Sequence, residues 1–191
     1  MTEQHTAFAW GSELPTIQGR RVDLRWLVQD DAPAILTIFG DPEVMRYWSA
    51  PPLLDLDAAK ALIAEIQEFF RSRHLFQWGV ALKGTGEVIG TCTLLGVSTD
   101  HRRAELGFAL RRSRWGEGRA TETLETIIPF AFGTLGLHRL EADVDPDNQR
   151  SLATLERQGF RREGYLRERW RHLGQMRDTV LLGLLRREWR V

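Results

Sequence analysis

Cysteine, lysine and long apolar runs are all scarce in this 191-residue sequence. Cys92 is the single cysteine, which excludes an internal disulfide and a thiolate-based zinc site. It sits within VIGTCTLLGV, where a buried and unreactive thiol is expected. The five histidines (His5, His74, His101, His138 and His172) form no HxxxH pair, so no metal site is expected. Only Lys60 and Lys83 are lysines; the other 24 of the 26 basic residues are arginines. Twenty-six acidic residues balance them, and a net charge of zero argues against a protein that coats nucleic acid. No apolar run approaches the ~20 residues of a membrane span. The segment MTEQHTAFAW has neither a basic nor an apolar stretch of a secretory signal. A cytoplasmic protein is therefore expected.

What remains is ordinary for a folded chain: 42% hydrophobic and 27% charged residues. A chain of this length buries about 70% of its unfolded surface and needs no staple. Residues 1–18 lack periodicity and read as an N-terminal arm, followed by one domain over 19–189. RRVDLRWLV alternates as a strand does. Asp30 and Asp31 precede a short helix, APAILTIF, that stops at Gly40. A second helix starts at Asp55 or Asp57 and runs to about Arg71, with Leu62, Ile66 and Phe69 or Phe70 on one face. FQWGVAL and EVIGTCTLLGV flank KGTGE as a hairpin, and RAELGFALR continues the sheet. A long helix over TETLETIIPFAFGTLG contains Pro129, which kinks it or opens its last turns. HRLEADV, the helix in DPDNQRSLATLERQG, GFRREGYLRERW and a strand over 175–185 follow. The order β-α-α-β-β-β-α-β-α-β-β predicts an α+β domain with a mixed, mostly antiparallel sheet flanked by helices.

The chemistry concentrates at WGEGRA, between the third strand of the meander and the long helix. Gly116 and Gly118 remove side chains there, so backbone N–H groups and the positive end of the helix suit a pyrophosphate. A plain glycine turn before a helix reads the same way. No GK[ST] follows, which excludes a Walker A loop, and a third glycine is missing for a dinucleotide fingerprint.

Taken together, AELGFAL–WGEGRATETL, LHRLEADVDPDNQRS, RQGF and REGYLRER resemble the GNAT acyltransferases. More narrowly, they resemble the Rim-like branch of ribosomal-protein N-terminal acetyltransferases, over about residues 19–189. The resemblance implies acetyl-CoA as cosubstrate, lying between two splayed strands, 104–111 and 138–144. The family's loop pattern falls on Trp115-x-x-Gly118-x-Ala120, with an aromatic where most of the superfamily has Gln or Arg. It implies that the amides from Trp115 to Thr121 (Gly116, Glu117, Gly118, Arg119 and Ala120 between them) hold the phosphates. Arg114 and Arg119 add charge there, or are simply solvated. The first of these strands is expected to carry a bulge. Leu106 to Leu110 then bond the pantetheine, and Phe108 or Ala109 polarises the thioester carbonyl.

Amine acetylation needs a base for the ammonium proton. Glu105, on the same strand face as Gly107 and Ala109, is the first candidate, and Glu168 the second. Many relatives protonate the leaving thiolate with a tyrosine where this chain has Leu155, which leaves Ser151 as the natural donor. Asn148 is implied as a partner of the pantetheine amide, and Asn148 and Ser151 also suit the cap of the following helix. Arg46, Tyr47, Trp48, Trp78 and Trp170 are candidates for lining an acceptor cleft. The expected acceptor is a primary amine, foremost the α-amine of a ribosomal or other protein N-terminus, with a small-molecule amine as the alternative. A non-catalytic acyl-CoA-binding module is the competing class. Neither nucleic acid nor membrane is an expected partner; a homodimer is possible on this reading.

Overall fold

The computed structural model describes residues 8–190. Eight strands form one sheet in the order β1-β2-β3-β4-β5-β6-β8-β7: β1 Ile17–Gln18, β2 Val22–Arg25, β3 Leu75–Leu82, β4 Val88–Ser98, β5 Arg103–Leu110, β6 Arg139–Val144, β7 Arg161–His172 and β8 Gln175–Leu185. All neighbours are antiparallel except β5 and β6. The helices are α1 Ala32–Phe39, α2 Pro42–Met45, α3 Leu56–Arg71, α4 Arg119–Pro129 and α5 Gln149–Arg157. The mixed α+β sheet is the one the sequence pattern predicts, with two short elements added. Part of the 1–18 arm pairs as β1 with β2, and Leu14 is buried, while residues 1–7 lie outside the described residues. DPEVM supplies α2, with Asp41 capping Glu43 N.

Local chemistry explains the boundaries. Asp55 accepts from Ala58 N at 2.8 Å, which fixes the start of α3. The face α3 buries is Ala59, Ile63, Ile66 and Phe70, so Phe70 and not the exposed Phe69 meets the core. Asp31 does not cap α1; it takes a two-pronged bond from Arg25 (2.7 and 2.8 Å) and one from Val28 N, tying β2 to the helix. Pro129 has no N–H to donate, and the ladder of α4 relaxes there into a π-helical turn over Phe130–Thr134.

One core cluster joins α4, the π turn and α5 to the sheet, and a second joins α1, α2 and α3 to it. Cys92 is fully buried, and the loss of solvation pushes its thiol up to about 12, so it is inert at neutral pH. Gly90 sits across from Leu110, with no room for a side chain: a Cβ would lie 2.3 Å from the Ala109 carbonyl oxygen. Gly90→Ala is therefore expected to cost about 1–3 kcal/mol, read as a lower urea midpoint with an unchanged slope.

Candidate active site

The site begins where β5 and β6 part. Their parallel ladder covers only Arg103–Glu105 against Arg139–Glu141; beyond it β6 continues along β8 and leaves the edge of β5 open. Arg111 N donates to Ile89 O, so the alternation of an antiparallel ladder turns the N–H groups of Ala109 and Gly107 toward β4. That of Leu106 points to the last rung with Glu141 on β6, and those of Phe108 and Leu110 face the opening. The Leu110 carbonyl on that side is occupied by the Trp115 indole at 2.8 Å. Of the two amides expected to polarise a carbonyl, geometry thus leaves Phe108 and removes Ala109. The register is regular from Leu110 to Glu105; its irregularity lies on β4, where the Leu95–Ser98 stretch accommodates one extra residue. The expected bulge on β5 is therefore absent. Divergence of β6 is what frees the edge.

The loop after β5 leads into α4. Gly116 (φ 82°) and Gly118 (φ 73°) hold left-handed conformations that favour glycine, and Gly118 is the N-cap of α4. Its carbonyl accepts from Glu122 N, so the first amides of α4, from Arg119 to Thr121, have no helical acceptor. Trp115 contributes no amide, because its N–H is spent on Arg112 O. Its ring instead lies beneath the Arg150 guanidinium, 5.1 Å away.

These groups line a groove of about 790 Å³ between β5, α2, α4 and α5. Phe108, Ala109, Leu110, Arg114, Trp115, Gly116, Gly118, Arg119, Ala120, Thr121, Asn148 and Ser151 all border it. Glu117 does not; it ion-pairs with Arg114 and Arg119 at 3.7 and 3.5 Å. Buried nitrogens of Arg119 (Nε, Nη1) and Arg114 (Nε) make no hydrogen bond among the described residues. Unspent guanidinium donors beside unspent amides form an anion site.

A smaller cavity of about 290 Å³ adjoins the groove and shares Arg46, Tyr47, Trp48, Phe108, Asn148 and Ser151 with it. Glu105, Leu106, Leu155, Asp143, Asp145, Trp170, His172, Arg177 and Asp178 are among its other lining residues. Glu105 is half-buried and has no hydrogen bond or ion pair among the described residues. Burial, then the charges of Asp143 and Glu141, push its carboxyl above the ordinary range, against the opposing pull of Arg169 and Arg103. Asn148 caps α5 through its side-chain oxygen, accepting from Ser151 N at 3.2 Å. Its amide nitrogen and the Ser151 hydroxyl are left without partners among the described residues. Capping and an exposed polar surface coexist.

Two candidates fall elsewhere. Trp78 is buried in the core, with its indole on Pro15 O at 2.9 Å, and lines neither cavity. Glu168 sits in an irregular stretch of β7 with φ 53°, outside both cavities, and its N–H donates to Asp178. Sequence reasoning missed Asp143. It follows Glu141 by two residues on β6 and accepts from Trp170 Nε1 and from the Thr179 hydroxyl. The alternation of RLEADV carried the signal: its buried residues are Leu140, Ala142 and Val144, which leaves Glu141 and Asp143 together on the face of Glu105.

The family model for the acetyltransferase (GNAT) domain matches residues 21–161. The chain is a GNAT acetyltransferase. It is 33% identical to the N-acetyltransferase p20 of Bacillus licheniformis, over 92% of this chain and 99% of that one. It is 31% identical to the [ribosomal protein uS5]-alanine N-acetyltransferase of Escherichia coli, over 68% of each. With the spermidine N(1)-acetyltransferase of E. coli it shares 24% identity over 88% of each chain. Among solved structures, Mycobacterium smegmatis RimJ in complex with CoA-disulfide superposes with a TM-score of 0.83, at 26% identity, covering 91% of this chain and 88% of that one. This GNAT protein is accordingly an acetyl-CoA-dependent N-acetyltransferase. The groove fits that cosubstrate on its own evidence: it has an open strand edge, unspent amides and unspent guanidinium donors. Among the described residues no group of three or more His, Cys, Asp or Glu is placed to hold a metal ion, and no helix is long and apolar enough to cross a membrane.

Proposed function

We propose that this enzyme acetylates the α-amino group of a protein N-terminus, with Glu105 as the base and Ser151 as the proton donor. The observation that carries the reading is the Glu105 carboxylate: unpaired, half-buried and raised in pKa, in the small cavity that opens off the groove. Acetyl-CoA supplies an activated acetyl thioester there. The amides of Gly116–Thr121 and the Arg119 guanidinium hold the phosphates, and the open edge at Leu106, Phe108 and Leu110 holds the pantetheine arm. Phe108 N–H faces the opening and is placed to stabilise negative charge on a carbonyl oxygen. Glu105 accepts the proton that an ammonium must lose before it can attack, and the Ser151 hydroxyl donates at the junction of the two cavities.

An α-amine has an ordinary pKa of about 7.7–8.0 against ~10.4 for a lysine side chain, so a carboxylate base matches the former better. The similarity to the uS5-alanine enzyme supports the same choice. A small polyamine is the second reading. It is favoured by the carboxylates around the cavity (Glu105, Asp143, Asp145 and Asp178) and by the more distant similarity to the spermidine enzyme. A panel of peptides with free or blocked N-termini, spermidine and aminoglycosides, read by mass spectrometry, tests the proposal. Acetylation of the free α-amine is the expected result. Turnover confined to blocked, lysine-containing peptides rejects it, and turnover confined to spermidine transfers the proposal to polyamines.

A further inference from the structure

We infer that Glu122, a residue that lines neither the groove nor the acceptor cavity, is a positioning residue of the donor site and acts through Arg119. The inference rests on the reading of the groove as the CoA site.

Glu122 lies in the first turn of α4, and its side chain is only 3% exposed. A carboxylate so buried needs partners. It has them on β2: the backbone N–H of Arg21, the N–H of Val22 at 3.2 Å, and Arg21 Nε at 2.7 Å. Burial alone would raise its pKa, but these donors together outweigh it and hold the carboxyl below the ordinary range. Glu122 is thus charged at neutral pH. One edge of that charge reaches Arg119, whose Nη1 stands 3.8 Å from Oε2, while Glu117 stands 3.5 Å from Arg119 Nε. The Arg119 guanidinium is held between two carboxylates, yet neither Nε nor Nη1 forms a hydrogen bond. The arrangement fixes the cation at the groove wall with Nε and Nη1 buried toward the two carboxylates, and it leaves Nη2, which is not among the buried nitrogens, as the donor for an anion. The Arg21 cation offsets the repulsion that a bare carboxylate at the start of α4 would exert on a phosphate.

Glu122→Gln keeps an oxygen for Arg21 N and Val22 N but removes the charge that holds Arg119. The probe is CoA, with affinity read by calorimetry on the wild type, Glu122→Gln, Arg119→Ala and the double variant. Glu122→Gln is expected to weaken CoA binding about tenfold, the scale of a coupled neighbouring pair. Arg119→Ala is expected to weaken it as well, and the double variant to bind no more weakly than Arg119→Ala alone. A purely structural role for Glu122 would add its effect in both backgrounds. The inference is overturned if Glu122→Gln leaves affinity within twofold or tightens it, or if the two effects multiply. If Arg119→Ala leaves CoA affinity unchanged, the inference falls together with the assignment of Arg119 to the phosphates. Should Glu122→Gln not fold, Glu122→Asp, which keeps the charge but withdraws it from Arg119, enters the same cycle with the same criteria.

Discussion

Replacing Glu105 with Gln is expected to lower the acetylation rate by about 10²- to 10⁴-fold, the usual cost of losing a positioned base. CoA affinity should be unchanged, because Glu105 borders the acceptor cavity and not the larger groove. The pH dependence carries the sharper signature. A base works only when ionised, and burial with the neighbouring Asp143 and Glu141 charges raises the Glu105 pKa above the ordinary ~4.3. Activity of the wild type should therefore rise with pH through a limb displaced upward from that value, below the limb contributed by the amine itself. Arg169 and Arg103 limit the displacement. Glu105→Gln should erase the limb. Steady-state rates across pH on a free-N-terminus peptide read both effects. A loss of less than about threefold, with the limb intact, would make Glu105 structural.

Gly118→Glu should abolish CoA binding. A side chain at this N-cap meets little protein: the nearest atom to a Cβ is Arg21 Nη2 at 3.7 Å. The conformational cost is the positive φ of 73°, about 1–2 kcal/mol for a non-glycine residue. The fold should survive that, with a native circular dichroism spectrum. Binding should not, since the variant puts a carboxylate where three free helix amides and Arg119 favour an anion. Gly118→Ala separates the causes: it bears the conformational cost without the charge and should retain measurable affinity. Calorimetric titration with CoA checks both, and full affinity in Gly118→Glu would remove the phosphates from this loop.

The sheet was legible in the sequence because β2 and β6 alternate, β3 and β4 are short apolar runs, and a glycine turn, KGTGE, joins those two. Regular patterns also located the loop, since Gly116 and Gly118 need left-handed backbone. What stayed hidden depends on partners far along the chain. Trp78 looks as suitable for a cleft as Trp170; only the Pro15 carbonyl and the core around it decide otherwise. Glu168 is on the strand that borders the site, but an irregular stretch of β7 turns it out of register. Asp143 and Glu122 were missed for the same reason: their roles come from β5 and β2, 38 and about 100 residues away. Asp31 reads as a helix cap, and only Arg25 on β2 redirects it.

A crystal structure with CoA bound tests the central claim most directly. The pyrophosphate oxygens are expected within hydrogen-bond distance of the amides between Gly116 and Thr121, with Arg119 turned to them. The pantetheine should run along Leu106–Leu110 and end with its sulfur at the junction bordered by Phe108, Asn148 and Ser151. Phosphates bound away from α4, or a pantetheine that leaves the β5 edge paired with nothing, would contradict the account.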